Sequence, residues 1–112
     1  GGAHACVDDV ARFLQYFANP DRRVLKKQTA AAMIANQTEG LNKRWGLGWM
    51  LNNGQFGAGC SAATFGHSGS TGTLCWLDPE SHLRFVLLTT QPATESTATL
   101  LHPVSNAISL AH

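Results

Sequence analysis

The sequence predicts an α+β fold in which an antiparallel sheet of about four strands is flanked by helices. Three observations lead there. A strongly amphipathic helical stretch comes first, short strand-like segments joined by turns fill the middle, and a helix-like stretch closes the chain. With 112 residues the chain makes one domain at most. Apolar residues at 44% against 13% charged ones exclude a solvated, disordered polymer. So low a charged fraction also implies that something covers part of the surface.

Val7 to Asn19 is predicted to be helical because Val10, Phe13, Leu14 and Phe17 recur at i, i+3, i+4 and i+7. Asp8 and Asp9 suit the positive end of the helix dipole, and Asp8 stands four residues before Arg12. Asn19-Pro20-Asp21 ends the helix, and Lys26 to Asn36 forms a second one, weakly amphipathic through Leu25, Ala32 and Met33. In "RWGLGWML" the period becomes two, so that Trp45, Leu47, Trp49 and Leu51 share one face of a strand. Gly46 and Gly48 on the other face imply that another element approaches the backbone there.

Asn52 to Cys60 reads as a glycine-rich turn region, with Asn53-Gly54 as its hairpin signal. Thr64 to His67 is predicted as a strand, Ser68 to Gly72 as a turn, and Thr73 to Asp78 as the returning strand. Asp78-Pro79-Glu80-Ser81 turns again. Leu83 to Thr90 is a nearly unbroken apolar run, as expected of a central strand covered on both faces. Glu95 to Ala111 is helix-like, and Pro103 within it either kinks the helix or opens a shorter one.

Composition narrows the function. The formal net charge is +1 and basic residues run no further than Arg22-Arg23 and Lys26-Lys27, which leaves no footprint for nucleic acid. No stretch approaches the roughly eighteen apolar residues of a membrane span, and the first residues lack the regions of a signal peptide, although an upstream targeting segment is left open. Cys6, Cys60 and Cys75 cannot all pair with one another and read as small apolar side chains. Trp45, Trp49 and Trp76 read as core or interface anchors, His4, His82, His102 and His112 as surface or cap histidines, and Asp9 as a helix-start residue.

The chemistry concentrates in "TFGHSGSTGTLCWLD". His67 sits beside glycines that leave its backbone uncrowded, with Ser68, Ser70, Thr71 and Thr73 close behind. A hairpin end of this kind offers an imidazole, hydroxyls and strand-edge N–H groups able to polarise a carbonyl; a plain glycine-rich turn with a solvent-facing histidine accounts for the same residues. Ser68 and His67 are neighbours on a strand and point to opposite faces, which argues against a direct nucleophile–base pair. Cys60, His67, Cys75 and His82 alternate thiols with imidazoles, which suit zinc, yet six or seven residues separate each from the next, unlike the short paired spacings of structural zinc sites. No metal and no cofactor are implied.

"GGAHACVDDVARFLQYF", "RWGLGWML" and "FGHSGSTGTLCWLDPESHLRFVLLTTQP", in that order, resemble the C-terminal part of the serine β-lactamase-related hydrolases, which include class C β-lactamases, D-Ala-D-Ala peptidases and esterases. The resemblance covers Gly1 to about Pro92. It implies the C-terminal part of a β-lactamase/transpeptidase-like fold and a site built from S-x-x-K, then Y-x-N or S-x-N, then K-T-G or an H-S-G-like variant. His67-Ser68-Gly69 matches the third motif. On that reading His67 sets the electrostatics and orients a substrate carboxylate or the second-motif tyrosine. Ser68 hydrogen-bonds the substrate, Gly69 keeps the strand edge open, and Ser70 corresponds roughly to the strand residue whose N–H completes the oxyanion hole.

The first two motifs are missing. Ser61, Ser68 and Ser70 are followed three residues on by Thr64, Thr71 and Thr73, and Ser81, Ser96, Ser105 and Ser109 by Arg84, Thr99, Ile108 and His112. The one tyrosine, Tyr16, has Ala18 two residues on. Residues 1–112 are therefore expected to be a C-terminal segment of a longer hydrolase, acting by acyl transfer on a small amide or ester and inactive alone. Its expected partners are the missing N-terminal part of the same enzyme or a second copy over an exposed sheet face. The alternative is a non-catalytic binding or assembly module on the same sheet. The resemblance fits a bacterial periplasmic or secreted protein, and the residues leave the cytoplasm open.

Overall fold

The computed structural model describes residues 2–111; Gly1, and His112 with the surface role expected of it, lie outside the described residues. The elements run α1 (Val7–Ala18), α2 (Lys27–Met33), β1 (Met50–Leu51), β2 (Phe65–Gly69), β3 (Thr73–Asp78), β4 (Leu83–Leu88), α3 (Ala93–Ser96), a π-helical turn (Thr97–Leu101) and α4 (His102–Leu110). The four strands form one antiparallel sheet in the order β1-β2-β3-β4. No helix of the described residues is long and apolar enough to cross a membrane.

The period of two along β3 and β4 divides the core between the two faces of the sheet. Leu77, with half-buried Cys75 and Val86, packs with Phe65, Trp49 and the α1 residues Leu14 and Phe17. Leu74, Trp76 and Phe85 pack on the other face with Phe56, Leu101 and half-buried Val104. Trp76 is fully buried and stacks on Phe85 at 5.3 Å. Its Nε1–H donates to Ser105 Oγ at 2.7 Å, and the Ser105 hydroxyl in turn donates to the Phe56 carbonyl. An indole buried this way removes roughly 150–250 Å² from water, about 4–6 kcal/mol at 25 cal/mol per Å².

α1 forms where the periodicity places it, with Leu14 and Phe17 buried; Arg12, however, reaches Asp9 at 3.7 Å, so the expected Asp8 pairing is replaced by an exposed i,i+3 pair. α2 stops at Met33, short of the expected Asn36. Its next turn is captured from outside: the Met33 carbonyl accepts Leu47 N–H at 2.9 Å, and Gln37 N–H donates to the Trp45 carbonyl at 2.7 Å. Tyr16 ties α1 to the segment that leads into α2, its hydroxyl accepting Leu25 N–H at 2.8 Å.

"RWGLGWML" is not one strand. Gly48 takes φ +83° and the chain doubles back, so that Trp45 bridges to Met50 and Gly46 N–H donates to the Trp49 carbonyl at 2.8 Å. Trp49 and Leu51 are consequently buried while Leu47 is 51% exposed. The two glycines serve different ends. A Cβ on Gly46 would lie 1.9 Å from the Met33 carbonyl oxygen, the close approach expected, whereas Gly48 has open space and is needed for its left-handed φ.

Two further expectations are corrected. Asn53-Gly54 forms no two-residue hairpin, because β1 pairs with β2 across the long loop of residues 52–64; there the Asn52 side chain donates to the Ser61 carbonyl and accepts Gly54 N–H. Among the described residues β4 pairs only with β3, and its run ends at Leu88, so the apolar segment expected to be central is an edge strand of this sheet. The second of the two expectations for Pro103 holds: a shorter helix, α4, starts at His102 with Pro103 in its first turn, and the chain enters it through a π turn in which His102 N–H donates to the Thr97 carbonyl.

Candidate active-site wall

The hairpin carrying the motif is shaped by its turn. Gly69 pairs with Thr73, leaving a three-residue loop in which Gly72 N–H donates to the Gly69 carbonyl and Gly72 itself takes φ +91°, a type I turn closed by a left-handed glycine. A side chain at Gly72 would strike the Gln91 carbonyl. The loop is held from behind: the Gly72 carbonyl accepts Thr89 Oγ1 at 2.7 Å and the Ser70 carbonyl accepts Ala93 N–H at 3.0 Å.

β2 therefore extends two residues further than the sequence indicates, and His67, Ser68 and Gly69 are strand residues facing Cys75, Leu74 and Thr73 of β3. Ser70 lies one residue beyond β2, in the turn and exposed, although its resemblance placed it on the strand. β1 pairs with β2 only at Gly66 and Phe65. Among the described residues, the outer edge of β2 from His67 to Gly69 has no strand partner.

His67 and Ser68 point to opposite faces. The imidazole lies on the α1 face, where Trp45 meets it edge-on with ring centroids 5.5 Å apart and planes at 70°. Its Nδ1 is 2.6 Å from the Ser68 carbonyl oxygen. The Ser68 hydroxyl makes only a long contact of 3.9 Å to Met50 Sδ, so it has no imidazole in reach. Gly69 is half-buried, and a Cβ there would meet Thr73 Oγ1 and no part of the open edge.

Two cavities meet at His67. One, of about 590 Å³, is bordered by Ser68, Thr71, Thr73, Thr89, Thr90 and His4, with Val10, Leu74 and Leu88 supplying an apolar part of its wall. The other, of about 370 Å³, is almost wholly apolar, with Phe13, Phe17, Met33, Leu47 and Trp49 around it. Cys75 borders both, and burial pushes its thiol up. Burial and the Asp78 charge likewise push the Cys60 thiol up. Cys60 packs on the opposite face of the sheet from Cys75, and His82 lies in the β3–β4 turn at φ +60°. Cys60, His67, Cys75 and His82 are thus scattered, and among the described residues no three metal-ligating side chains converge.

Away from the cavities, Asp78 at the end of β3 is 1% exposed. Burial alone would raise its carboxyl, but hydrogen bonds from Ser61, Glu80 and Ser81 outweigh burial and hold it below the ordinary carboxylate range. It anchors the loop before β2 to the β3–β4 turn. Neither this anchor nor the Trp45–His67 contact is visible in the sequence: Trp45 reaches His67 only because Gly48 reverses the chain.

A family model described as Beta-lactamase matches residues 1–106. A protein of Escherichia coli (strain K12) described as "Putative D-alanyl-D-alanine carboxypeptidase" is 29% identical over 100 residues, 81% of this chain and 23% of the relative. One of the same description from Salmonella gallinarum is 42% identical over 100 residues with the same coverage. A crystal structure of a β-lactamase from Mycobacterium bovis matches with a TM-score of 0.81 and 28% identity, over 93% of this chain and 43% of that one. The chain spans about a quarter of the length of the curated relatives it matches.

Proposed function

The chain belongs to the β-lactamase family, and from that premise we propose that it forms one wall of the acyl-transfer site of a longer serine hydrolase acting on a small amide or ester, and is inactive alone. The observation that carries this is the unpartnered edge of β2 at His67–Gly69, beside a cavity that Ser68, Thr71, Thr73, Thr89 and Thr90 border. A strand edge holds N–H and C=O groups at fixed spacing, able to align an extended substrate and to stabilise the oxyanion that develops on its carbonyl. In this role His67 contributes electrostatics and orientation, Ser68 and Gly69 meet the substrate, and the Ser70 N–H completes the oxyanion site from the turn.

The nucleophile belongs to the part outside residues 1–112. A serine Oγ–H there attacks the carbonyl carbon; the O–C bond forms as the proton passes to a base and then to the leaving nitrogen or oxygen, and water later releases the acyl group. Within this chain no serine is followed by lysine at the third position, and Ser68 and His67 face opposite sides of the sheet.

The same remainder is the proposed partner over the apolar surfaces. The unpaired edge of β4 lies in a groove between α1 and α4 where Val7, Val86, Val104 and Ile108 alternate with the charged Asp8, Arg12 and Arg84, and Phe13 and Leu47 are more than half exposed. An edge strand whose one charged residue is Arg84 keeps most of its length free to pair.

The test is intact mass before and after incubation with a penicillin or an activated ester. One unmodified species near 12.0 kDa is expected. A stoichiometric adduct on this chain overturns the proposal, with Ser68 or Ser70 as the first residues to map.

A further inference from the structure

We propose that Trp45 is a positioning residue for His67, which together with the Ser68 carbonyl holds the imidazole as the Nδ1–H tautomer and leaves Nε2 as a hydrogen-bond acceptor. The inference rests on His67 belonging to the wall of an acyl-transfer site, and it deepens that reading by naming what His67 can recognise.

A carbonyl oxygen only accepts, so a contact of 2.6 Å between Nδ1 and the Ser68 oxygen places the proton on Nδ1. A neutral imidazole has one N–H, and Nε2 then carries a lone pair. One hydrogen bond does not hold an exposed ring. The second restraint is the edge of Trp45, 5.5 Å away between centroids. Trp45 is itself fixed: its N–H donates to Thr38 Oγ1 at 2.9 Å, its carbonyl accepts Gln37 N–H at 2.7 Å, and it bridges to Met50.

Cys75, opposite His67 on β3, has its thiol pushed up by burial, and His4 lies across the larger cavity. No aspartate, glutamate, lysine or arginine lines either cavity. Nε2 in this state takes a hydrogen bond, or a whole proton, from a hydroxyl or an amide N–H, and repels a carboxylate oxygen. The wall therefore favours a donor on the substrate or on the missing motifs over a carboxylate at this position.

The tautomer can be read directly on the chain by long-range nitrogen–proton NMR of ¹⁵N-histidine-labelled protein at about pH 8, above the ordinary histidine range. The His67 signals are assigned by their loss in His67→Gln. A protonated Nδ1 and an unprotonated Nε2 are expected for His67, distinct from the averaged pattern of the exposed His4 and His102. Trp45→Phe keeps an aromatic edge and is expected to retain the pattern, while Trp45→Ala is expected to move His67 to the pattern of His4 and His102. A wild-type His67 indistinguishable from those two, or a pattern unchanged in Trp45→Ala, overturns the inference. Neither outcome depends on acylation, so it can fail while the proposed function stands, and the reverse.

Discussion

Asp78→Ala tests whether a buried carboxylate holds the loop before the motif strand. Asp78 accepts Ser61 N–H at 2.9 Å, Ser61 Oγ–H at 2.6 Å and Glu80 N–H at 3.0 Å. Hydrogen bonds to a charged acceptor contribute about 1.5–3 kcal/mol each, so three set an upper bound of about 5–9 kcal/mol. Two terms reduce it: burying the carboxylate costs several kcal/mol, and Ser61 and Glu80 are near enough to solvent to find water once released. A loss of about 2–4 kcal/mol at pH 7 remains, a large share of the roughly 5–15 kcal/mol that holds a typical domain. Urea unfolding followed by tryptophan fluorescence measures it.

The pH dependence supplies a second check. Because the carboxyl is held below its ordinary range in the folded chain, its contribution is fully present above the unfolded value of about 3.9 and fades as pH falls toward the depressed folded value. The difference between wild type and Asp78→Ala is therefore expected to be largest near neutrality and to shrink below about pH 4. A loss under about 1 kcal/mol at pH 7, or a difference that stays constant into acid, would refute the reasoning.

Gly46→Ala drives a Cβ into the Met33 carbonyl and must break the Leu47–Met33 hydrogen bond, costing about 1–3 kcal/mol or more in a denaturant titration; Gly48→Ala meets no atom and costs about 1–2 kcal/mol through its φ, a loss that asparagine is expected to recover in part. Ser105→Ala leaves the Trp76 Nε1–H and the Phe56 carbonyl unpaired in the core, about 1–3 kcal/mol for each group, and a change below 1 kcal/mol would show that neither needs the serine. Thiol labelling of the folded chain at neutral pH is expected to modify exposed Cys6 first and Cys60 and Cys75 slowly, since burial pushes both thiols up; equal rates for Cys6 and Cys75 would contradict the packing of β3. Light scattering is expected to show self-association through the uncovered β4 edge, and a monodisperse monomer would count against that edge being adhesive.

Local signals were read correctly where the neighbours in sequence are also the neighbours in space. The 3.6-residue period located α1, the period of two located β3, and the glycine-rich turn placed the hairpin that presents His67. "RWGLGWML" misled because alternation of apolar residues and glycine looks the same in a strand and in a reversal, and only the left-handed φ of Gly48 separates them. The apolar run of β4 describes a strand to be covered on both sides, and the helices do flank it; which strands pair with it is a long-range matter that its own residues do not encode.

What the sequence by itself determined is the α+β order, the family and the position of H-S-G, because periodicity, turn chemistry and motif spacing are properties of contiguous residues. Only the tertiary structure decided that β2 runs on through Gly69 with an open edge, that Trp45 rests on His67, and that Asp78 is a buried anchor. Each of these joins residues 17 to 22 positions apart, or depends on the absence of a neighbouring strand. Such contacts are set by how the sheet and its covering helices close on one another, and no local pattern carries them.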